Sequence, residues 1–423
     1  MSTVPRSRNP FRVLKTHRNF RIFWIGQTLS LIGSWMQTMA LGWLSLELSN
    51  SAFIVGLVAS VGAIPIVLFS MHAGAFVDRS DRLRLVRITQ AVFLVEALVL
   101  ATVNWLGLVT IPLLVFLAFV QGICSAVEIP ARQSMIIQLV GRNDLQPAIA
   151  LNSSGFNLAR VIGPAIGGLV IHRFGIAWCF ALNAVSYLAV LWGLLRIHLP
   201  SGDVVVDIAG NVEGRARRAR EAFRESSQSA ADGLRHFLKP GDVRDLLSLV
   251  TVGAVFSGSF VTLMPVEARD RLGLGAGGYG GLLASVGVGG LVGALLLAGP
   301  ASHWRRGRVL TVTGVLFPLL LMALAFATTS TQAMIVLFFT GSTMIIYNAL
   351  GNGMLQLLVN EEYRGRLMAF YSLLFVGLSQ LLGALMLGAA ARRFGVEWAI
   401  GGSAVVTLVF TVWTVATSRL WRL

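Results

Sequence analysis

Charged side chains are scarce: 13% of the 423 residues are Asp, Glu, Lys or Arg, about half the ~25% of an ordinary soluble domain. Cysteine is nearly missing too. The two present, Cys124 and Cys179, support neither a disulfide framework nor a Cys-based metal site. Both fall in apolar stretches, as small core hydrophobes do. No Gly-x-x-x-x-Gly-Lys-[Ser/Thr] loop occurs, which excludes P-loop ATP hydrolysis. His17, His72, His172, His198, His236 and His303 are scattered, so no metal-ligand spacing exists. No serine or cysteine sits in a nucleophile elbow, and no ring of acids marks a channel filter. The expectation is a chain that is not an enzyme and needs no metal or cofactor.

What is abundant is apolar length. Hydrophobic residues make up 55% of the chain, and mean hydropathy is +0.75. A membrane-spanning helix needs about 20 mostly apolar residues. Twelve such stretches occur, at about 20–48, 53–77, 85–106, 109–131, 146–171, 176–198, 246–266, 278–300, 308–329, 331–357, 364–390 and 395–417. The basic first 21 residues precede a hydrophobic run too long for a signal peptide.

The bases give the topology. There are 34 Lys+Arg against 19 Asp+Glu, a net charge of +15. Arg79, Arg82, Arg84 and Arg87 crowd one loop, and bases recur in every second loop. With the N-terminus inside, only Arg173, Arg269, Arg271, Arg392 and Arg393 fall in the opposite loops, and Arg160 falls within a span. The remaining 28 are cytoplasmic. That asymmetry follows the positive-inside rule and places both termini in the cytoplasm. It also argues against nucleic acid, because the bases are dealt out by topology rather than gathered on one face.

The longest polar break, 200–245, divides six spans (1–199) from six spans (246–423). Within it Ala216, Ala219, Phe223, Ala230, Leu234 and Phe237 recur at helical spacing among arginines. This reads as a basic amphipathic helix on the anionic inner leaflet. Two six-span halves suggest an internal repeat. Gly74–Arg82 after the second span has a weak counterpart in Gly299–Arg308 after the eighth.

Gly74, Asp78, Arg79 and Arg82 resemble the loop signature Gly-x-x-x-Asp-Arg-x-Gly-Arg of the major facilitator superfamily, with Asp81 in place of its second glycine. Gly163-Pro164-Ala165-Ile166-Gly167-Gly168 in the fifth span resembles the motif of exporters in that family. Asn19-Phe20-Arg21, Gly42-Trp43, Glu128-Ile129-Pro130-Ala131-Arg132, Asn157-Leu158-Ala159-Arg160 and Arg364-Gly365-Arg366 extend the resemblance along the whole chain, toward the branch containing the bacterial enterobactin exporter. The resemblance implies two pseudo-symmetric six-helix bundles, all α, that rock about a shared site. It implies a cytoplasmic latch at Gly74, Asp78, Arg79 and Arg82. It further implies an interbundle seam between Gly163, Pro164, Gly167 and Gly168 and the glycine-rich eighth span, where Gly280, Gly281, Gly287, Gly289, Gly290 and Gly293 lie. Gly289-x-x-x-Gly293 is a close-packing pair in its own right. One departure stands out: proton-coupled members carry an arginine three residues before Gln-Gly, whereas Ala118 precedes Gln121-Gly122.

Ionisable groups at membrane depth are costly, hence functional candidates. Glu96, Glu128 and Arg160 qualify. Arg160 needs a partner, and Glu128 on the neighbouring span is the expected one. Glu96 is a candidate proton carrier. In the first span Gln27, Ser30, Ser34 and Gln37 repeat at i, i+3, i+7 and i+10, one helical face. In the tenth, Asn348, Asn352 and Gln356 repeat at i, i+4 and i+8. With Gln121, Phe256 and Phe260 they form the expected cavity lining. Such a lining suits a bulky, partly apolar solute. The reading is a monomeric secondary exporter of a siderophore or amphipathic drug in the cytoplasmic membrane, driven by the proton gradient. The alternatives are an importer of a small metabolite and a membrane scaffold or sensor that does not transport.

Overall fold

The computed structural model describes residues 11–78, 80–197, 241–299, 304–359, 367–368, 370–371, 373–418 and 420–422. All regular structure among them is helical. A short α1 (Arg12–Thr16) turns at His17 into α2 (Arg18–Ser49). There follow α3 (Ala52–Asp78), α4 (Arg82–Trp105), α5 (Ile111–Val140), α6 (Leu145–Phe174) and α7 (Ile176–Leu195). The second half contains α8 (Asp242–Arg271), α9 (Ala276–Ala298), α10 (Arg306–Ala325), α11 (Ser330–Leu358), α12 (Leu373–Phe394) and α13 (Val396–Thr417). Among the described residues eleven of these helices are long and apolar enough to cross a membrane. The remaining one, α2, has ample length at 32 residues, but polar side chains dilute it. The expected linker helix lies outside the described residues. The chain resumes at Gly241, and α8 begins at Asp242.

Local chemistry explains the turns. α6 ends at Gly175 (φ 90°) and α12 at Gly395 (φ 94°), the left-handed geometry that favours glycine at a helix C-terminus. α7 and α13 start at the next residue. These two sites expose a repeat: Arg173-Phe174-Gly175-Ile176-Ala177-Trp178 in the first half and Arg393-Phe394-Gly395-Val396-Glu397-Trp398 in the second. Pro65, Pro130, Pro164 and Pro318 lie inside helices. Neighbouring helices make that tolerable in a membrane bundle.

The halves differ in regularity. α2 to α7 are continuous α-helices. α8 passes from α into a π segment at Gly253–Ser257, a 3-10 segment at Gly258–Leu263, one α turn, and a second π segment at Glu267–Arg271. α12 opens as a π-helix over Leu373–Gly383. Gly253, Gly258, Pro265 and Gly383 sit at or near these changes, and such breaks concentrate at working sites.

Within each half the helices pack closely. α2 lies against α6 and α7, α3 against α5, and α4 against α7. In the second half α11 packs on α9 and α10, and α10 on α13. Tyr347 is fully buried and donates its hydroxyl to the Leu249 carbonyl at 2.8 Å, pinning α11 to α8. Among the described residues two helix pairs make the most extensive contacts between the halves: α6 with α9, and α3 with α12. Each pairs the fifth long helix of one half with the second of the other, as a pseudo-two-fold axis requires.

Candidate functional site

The interface between the halves is built where glycine lets backbones touch. A Cβ on Gly168 would stand 3.0 Å from Gly280 Cα and 3.1 Å from the Ala276 carbonyl oxygen. A Cβ on Gly280 would stand 2.7 Å from the Pro164 carbonyl oxygen, and one on Gly287 would press on Val161 at 2.9 Å. In the second pair Gly56 faces Ala384 and Gly388, and a Cβ on Gly388 would lie 2.9 Å from the Ala52 carbonyl oxygen. Gly168 and Pro164 therefore take the seam position expected of them. Gly163 and Gly167 do not. They turn to Trp35, Met36 and Met39 of α2, inside their own half. Gly289 and Gly293 likewise press on Phe338 and Ser342 of α11. The reason is angular. At 100° per residue Gly163 and Gly168 stand about 140° apart around α6, and Gly289 stands about 180° from Gly280 around α9, so they cannot face one neighbour.

The end of the molecule carrying the 49–51, 272–275 and 395 turns is drawn together by further cross-links. Arg269 of α8 donates to the Leu46 carbonyl at 3.2 Å and to Asn50 Oδ1 at 3.0 Å. The acceptors belong to the C-terminal turn of α2 and its left-handed cap, Asn50. A cation there complements the helix dipole. Trp43 stacks on Tyr279, ring centroids 5.8 Å apart and planes 21° from parallel. Ser60 donates to the Gln380 carbonyl at 3.3 Å. A polar cavity of about 900 Å³ opens at this end, lined by residues of both halves including Asn50, Asp270, Arg271, Arg392 and Glu397.

The polar stripe of α2 points elsewhere. Gln27, Ser30 and Gln37 are buried. Gln37 accepts from Asn183 Nδ2 of α7 at 2.7 Å and donates to Glu96 Oε1 of α4 at 3.5 Å. Ser34 shares a 3.0 Å bond with the Tyr187 hydroxyl of α7. The stripe is thus an intrabundle network rather than the cavity lining the sequence suggests. Away from water, polar side chains bond to one another across helix contacts. The surface of α2 toward the other half is rotated from it: a Cβ on Gly42 would lie 3.3 Å from the Tyr279 hydroxyl and 3.8 Å from Pro265. In the second half Phe256 is half-buried, while Phe260 lies deep in the core against Phe317. Asn348 is half-buried, and Asn352 accepts from Gln356 at 2.6 Å. Gln121 on α5 is half-buried.

The membrane-depth charges also regroup. Glu128 accepts from Gln90 of α4 at 2.6 Å and pairs with Arg132, one turn along α5, at 3.4 Å. It does not reach Arg160. The i, i+4 spacing brings Arg132 over Glu128 first. Arg160 instead lies over the Trp35 ring, 5.8 Å from its centroid. Glu96 is 3% exposed, and its Oε2 has no hydrogen-bond partner.

The expected latch is only partly in view. Gly74 and Asp78 lie in the last turns of α3, and Arg79 lies outside the described residues, as do Arg364, Gly365 and Arg366. Arg82 begins α4. Asp81, the departure from the motif, caps that helix by accepting from the Arg84 N–H at 3.1 Å.

Three features escape a reading of the sequence. Asn183 and Gln90 complete the buried networks, but single amides in apolar helices give no pattern. Glu267 and Arg271 look like loop residues, yet they form the last turn of α8. Glu267 is fully buried and ion-paired to Arg271. Arg271 also donates to the carbonyls of Leu324 and Ala327 at 2.7 and 2.6 Å, closing the C-terminal end of α10. Their i, i+4 spacing is the one signal available.

Comparison with known proteins places this geometry. A family described as transmembrane secretion effector matches residues 9–421. The chain is 31% identical over 179 residues to a staphyloferrin A transporter of Staphylococcus aureus (strain NCTC 8325 / PS 47), covering 42% of this chain and 45% of that one. It is 24% identical over 185 residues to an enterobactin exporter of Shigella boydii serotype 4 (strain Sb227), covering 44% of each. A macrolide efflux protein A of Streptococcus pyogenes aligns over 391 residues at 20% identity, 89% of this chain and 90% of that one. The chain thus spans about half the length of several curated relatives it matches, the first among them. Among solved structures, a bacterial homologue of the human lysosomal transporter Spinster, in an inward-facing and occupied conformation, superposes with a TM-score of 0.70 at 14% identity, covering 98% and 97% of the two chains.

Proposed function

We propose, given that the chain belongs to the transmembrane secretion effector family of the major facilitator superfamily, that it is a secondary exporter of a bulky organic solute working by alternating access. Fold and family are those of transporters rather than enzymes, in a multi-pass membrane protein. One observation carries the mechanistic reading. The described cross-bundle bonds and glycine contacts gather from mid-membrane to one end: Gly168 with Gly280, Gly56 with Gly388, Trp43 with Tyr279, Arg269 with Leu46 and Asn50. The basic loops assign that end to the outside and both termini to the cytoplasm. The conformation is then closed outward, and the halves, divided near 200–245, rock apart there to release solute.

Export is favoured over import by the relatives, an enterobactin exporter and a macrolide efflux protein. A siderophore or an amphipathic drug is the solute class these relatives point to. Glu96 supports proton coupling. It is a buried carboxyl with no cationic partner among the described residues, held by Gln37 alone at 3.5 Å. Asp78, Arg79 and Arg82 form the inner latch that holds the opposite, outward-open state.

The test is efflux from proteoliposomes containing protein of determined orientation, loaded with enterobactin or erythromycin. A proton gradient should accelerate efflux through right-side-out protein by at least about ten-fold. A disulfide between Ser60→Cys and Gln380→Cys should stop it until reduced. Export that ignores this lock would refute alternating access at that interface.

A further inference from the structure

Arg160 stands near the middle of α6 and, unlike Glu128, has neither a role in the proposed mechanism nor a charged partner among the described residues. Among the described residues no carboxylate answers it. Glu128 is taken by Gln90 and Arg132, Glu96 by Gln37, and Glu267 by Arg271. Its neighbours are aromatic. The guanidinium lies 5.8 Å from the centroid of Trp35, whose ring meets Phe156 edge-on at 5.8 Å and 72°.

The packing of α6 fixes which way this group looks. One side of α6 is held by α2 through Gly155, Gly163 and Gly167. Another is held by α9 through Val161, Pro164 and Gly168. Two strips remain between them. One carries the exposed Leu158, Ile166 and Leu169, with Ser154 at its start satisfied by the Ala150 carbonyl, as a lipid face requires. The other carries Ser153, Phe156 and Arg160 at i, i+3 and i+7, with Ser153 and Phe156 exposed. That strip lies between the contacts to α2 of its own half and those to α9 of the other, on the side of α6 where the halves meet. On α2 the strip of Leu31, Trp35, Thr38 and Gly42 turns the same way, since Gly42 abuts Tyr279 and Pro265 of the second half.

A half-desolvated guanidinium without a counter-charge among the described residues, lying over the Trp35 ring with Phe156 packed edge-on against that ring, has the chemistry of a receptor for an acid on a flat apolar body. Arginine offers a planar fork for a carboxylate, and the rings offer stacking area. Resting on the transporter reading, we propose that Arg160 is the anion-recognition residue of the solute site, and that the exported solute carries a carboxylate or equivalent acidic oxygen pair next to an aromatic or conjugated group. The ring contact with Trp35 holds the cation until the solute replaces it.

The probes are 2-naphthoate and its neutral counterpart 2-naphthamide, titrated calorimetrically into the full chain in lipid nanodiscs. The acid should bind roughly ten- to hundred-fold more tightly than the amide, as a charge-assisted hydrogen-bonded pair in a poorly hydrated site implies. Arg160→Gln should erase that difference, and Arg160→Lys should keep part of it. Phenylglyoxal labelling of the unaltered protein, read by mass spectrometry, gives the same answer without a variant: naphthoate should shield Arg160 and naphthamide should not. Equal affinities, absence of saturable naphthoate binding, or equal shielding would overturn the assignment. Naphthoate counterflow in proteoliposomes separates the two ideas. Shielding without counterflow would remove transport and keep Arg160 as the anion site. Undiminished naphthoate counterflow by Arg160→Gln would remove Arg160 and keep transport.

Discussion

The two bundles follow one backbone plan and spend their polarity differently. In the first half the core holds amides and acids: Gln37, Gln90, Glu96, Glu128 and Asn183 are all buried, and the helices around them are continuous. In the second half the buried polar groups along the membrane interior are hydroxyls, such as Ser257 bonded to Thr407 at 2.8 Å, and two helices depart from α geometry. Its one buried carboxylate among the described residues, Glu267, is locked to Arg271 at the end of α8. Pseudo-symmetry here belongs to the chain path. The buried amides and most of the buried acids sit among the continuous helices, and the helices broken by π and 3-10 segments sit in the other half.

That division can be broken deliberately. The largest effect is expected at Glu267. Glu267→Ala strands the Arg271 cation, and losing one partner of a buried pair costs about 3–5 kcal/mol. The thermal midpoint in detergent should fall well below that of Glu96→Gln, and similar midpoints would contradict the contrast. Next comes the seam against the core. Gly280→Leu wedges a side chain between α9 and the Pro164 carbonyl, so efflux should drop by at least about ten-fold with folding retained. Gly289→Leu, facing α11, should instead lower the midpoint by roughly the 1–3 kcal/mol typical of overpacking. If both variants lost stability equally, the seam would not be a moving surface. Glu96→Gln sharpens the comparison further. It should leave the midpoint within about 1 kcal/mol, since membrane hydrogen bonds average roughly 0.6 kcal/mol, and should uncouple efflux from the proton gradient. Persistence of gradient-driven efflux would move proton coupling elsewhere. The smallest effect is Tyr279→Leu, which removes the stack with Trp43. That pair is worth about 0.5–1.5 kcal/mol, so a fluorophore pair across the outer end should report a two- to ten-fold gain in the outward-open population.

Much of the fold is legible before any coordinates. Apolar runs near 20 residues set the helices. The fifth-with-eighth helix contact was readable from Gly163–Gly168 and the glycines of the eighth span, but the facing residues were not. Gly168 meets Gly280, whereas Gly163 and Gly289 pack inside their own halves. Periodicity identifies a face without saying what it faces. The Gln27–Gln37 stripe is a true helical face turned toward α7, and the strip at Trp35 and Gly42 beside it faces α6 and the second half. Arg160 was marked as costly, yet its neighbour Trp35 could not be found by seeking an opposite charge. The hexapeptide shared by 173–178 and 393–398 was visible all along, and only the matched helix ends gave it meaning.

The 32 unbroken residues of α2 have a mechanical consequence. At 1.5 Å per residue the helix is a rod of about 48 Å. Its C-terminal tip carries the Leu46 carbonyl that Arg269 grips, and its middle carries Trp35 on one side and Gln37 on the other. A main-chain oxygen has no titration of its own, so the grip at the tip answers only to where the rod points. Solute arriving at Arg160 and a proton arriving at Glu96 would both push on the same lever, and its far end would do the unlocking.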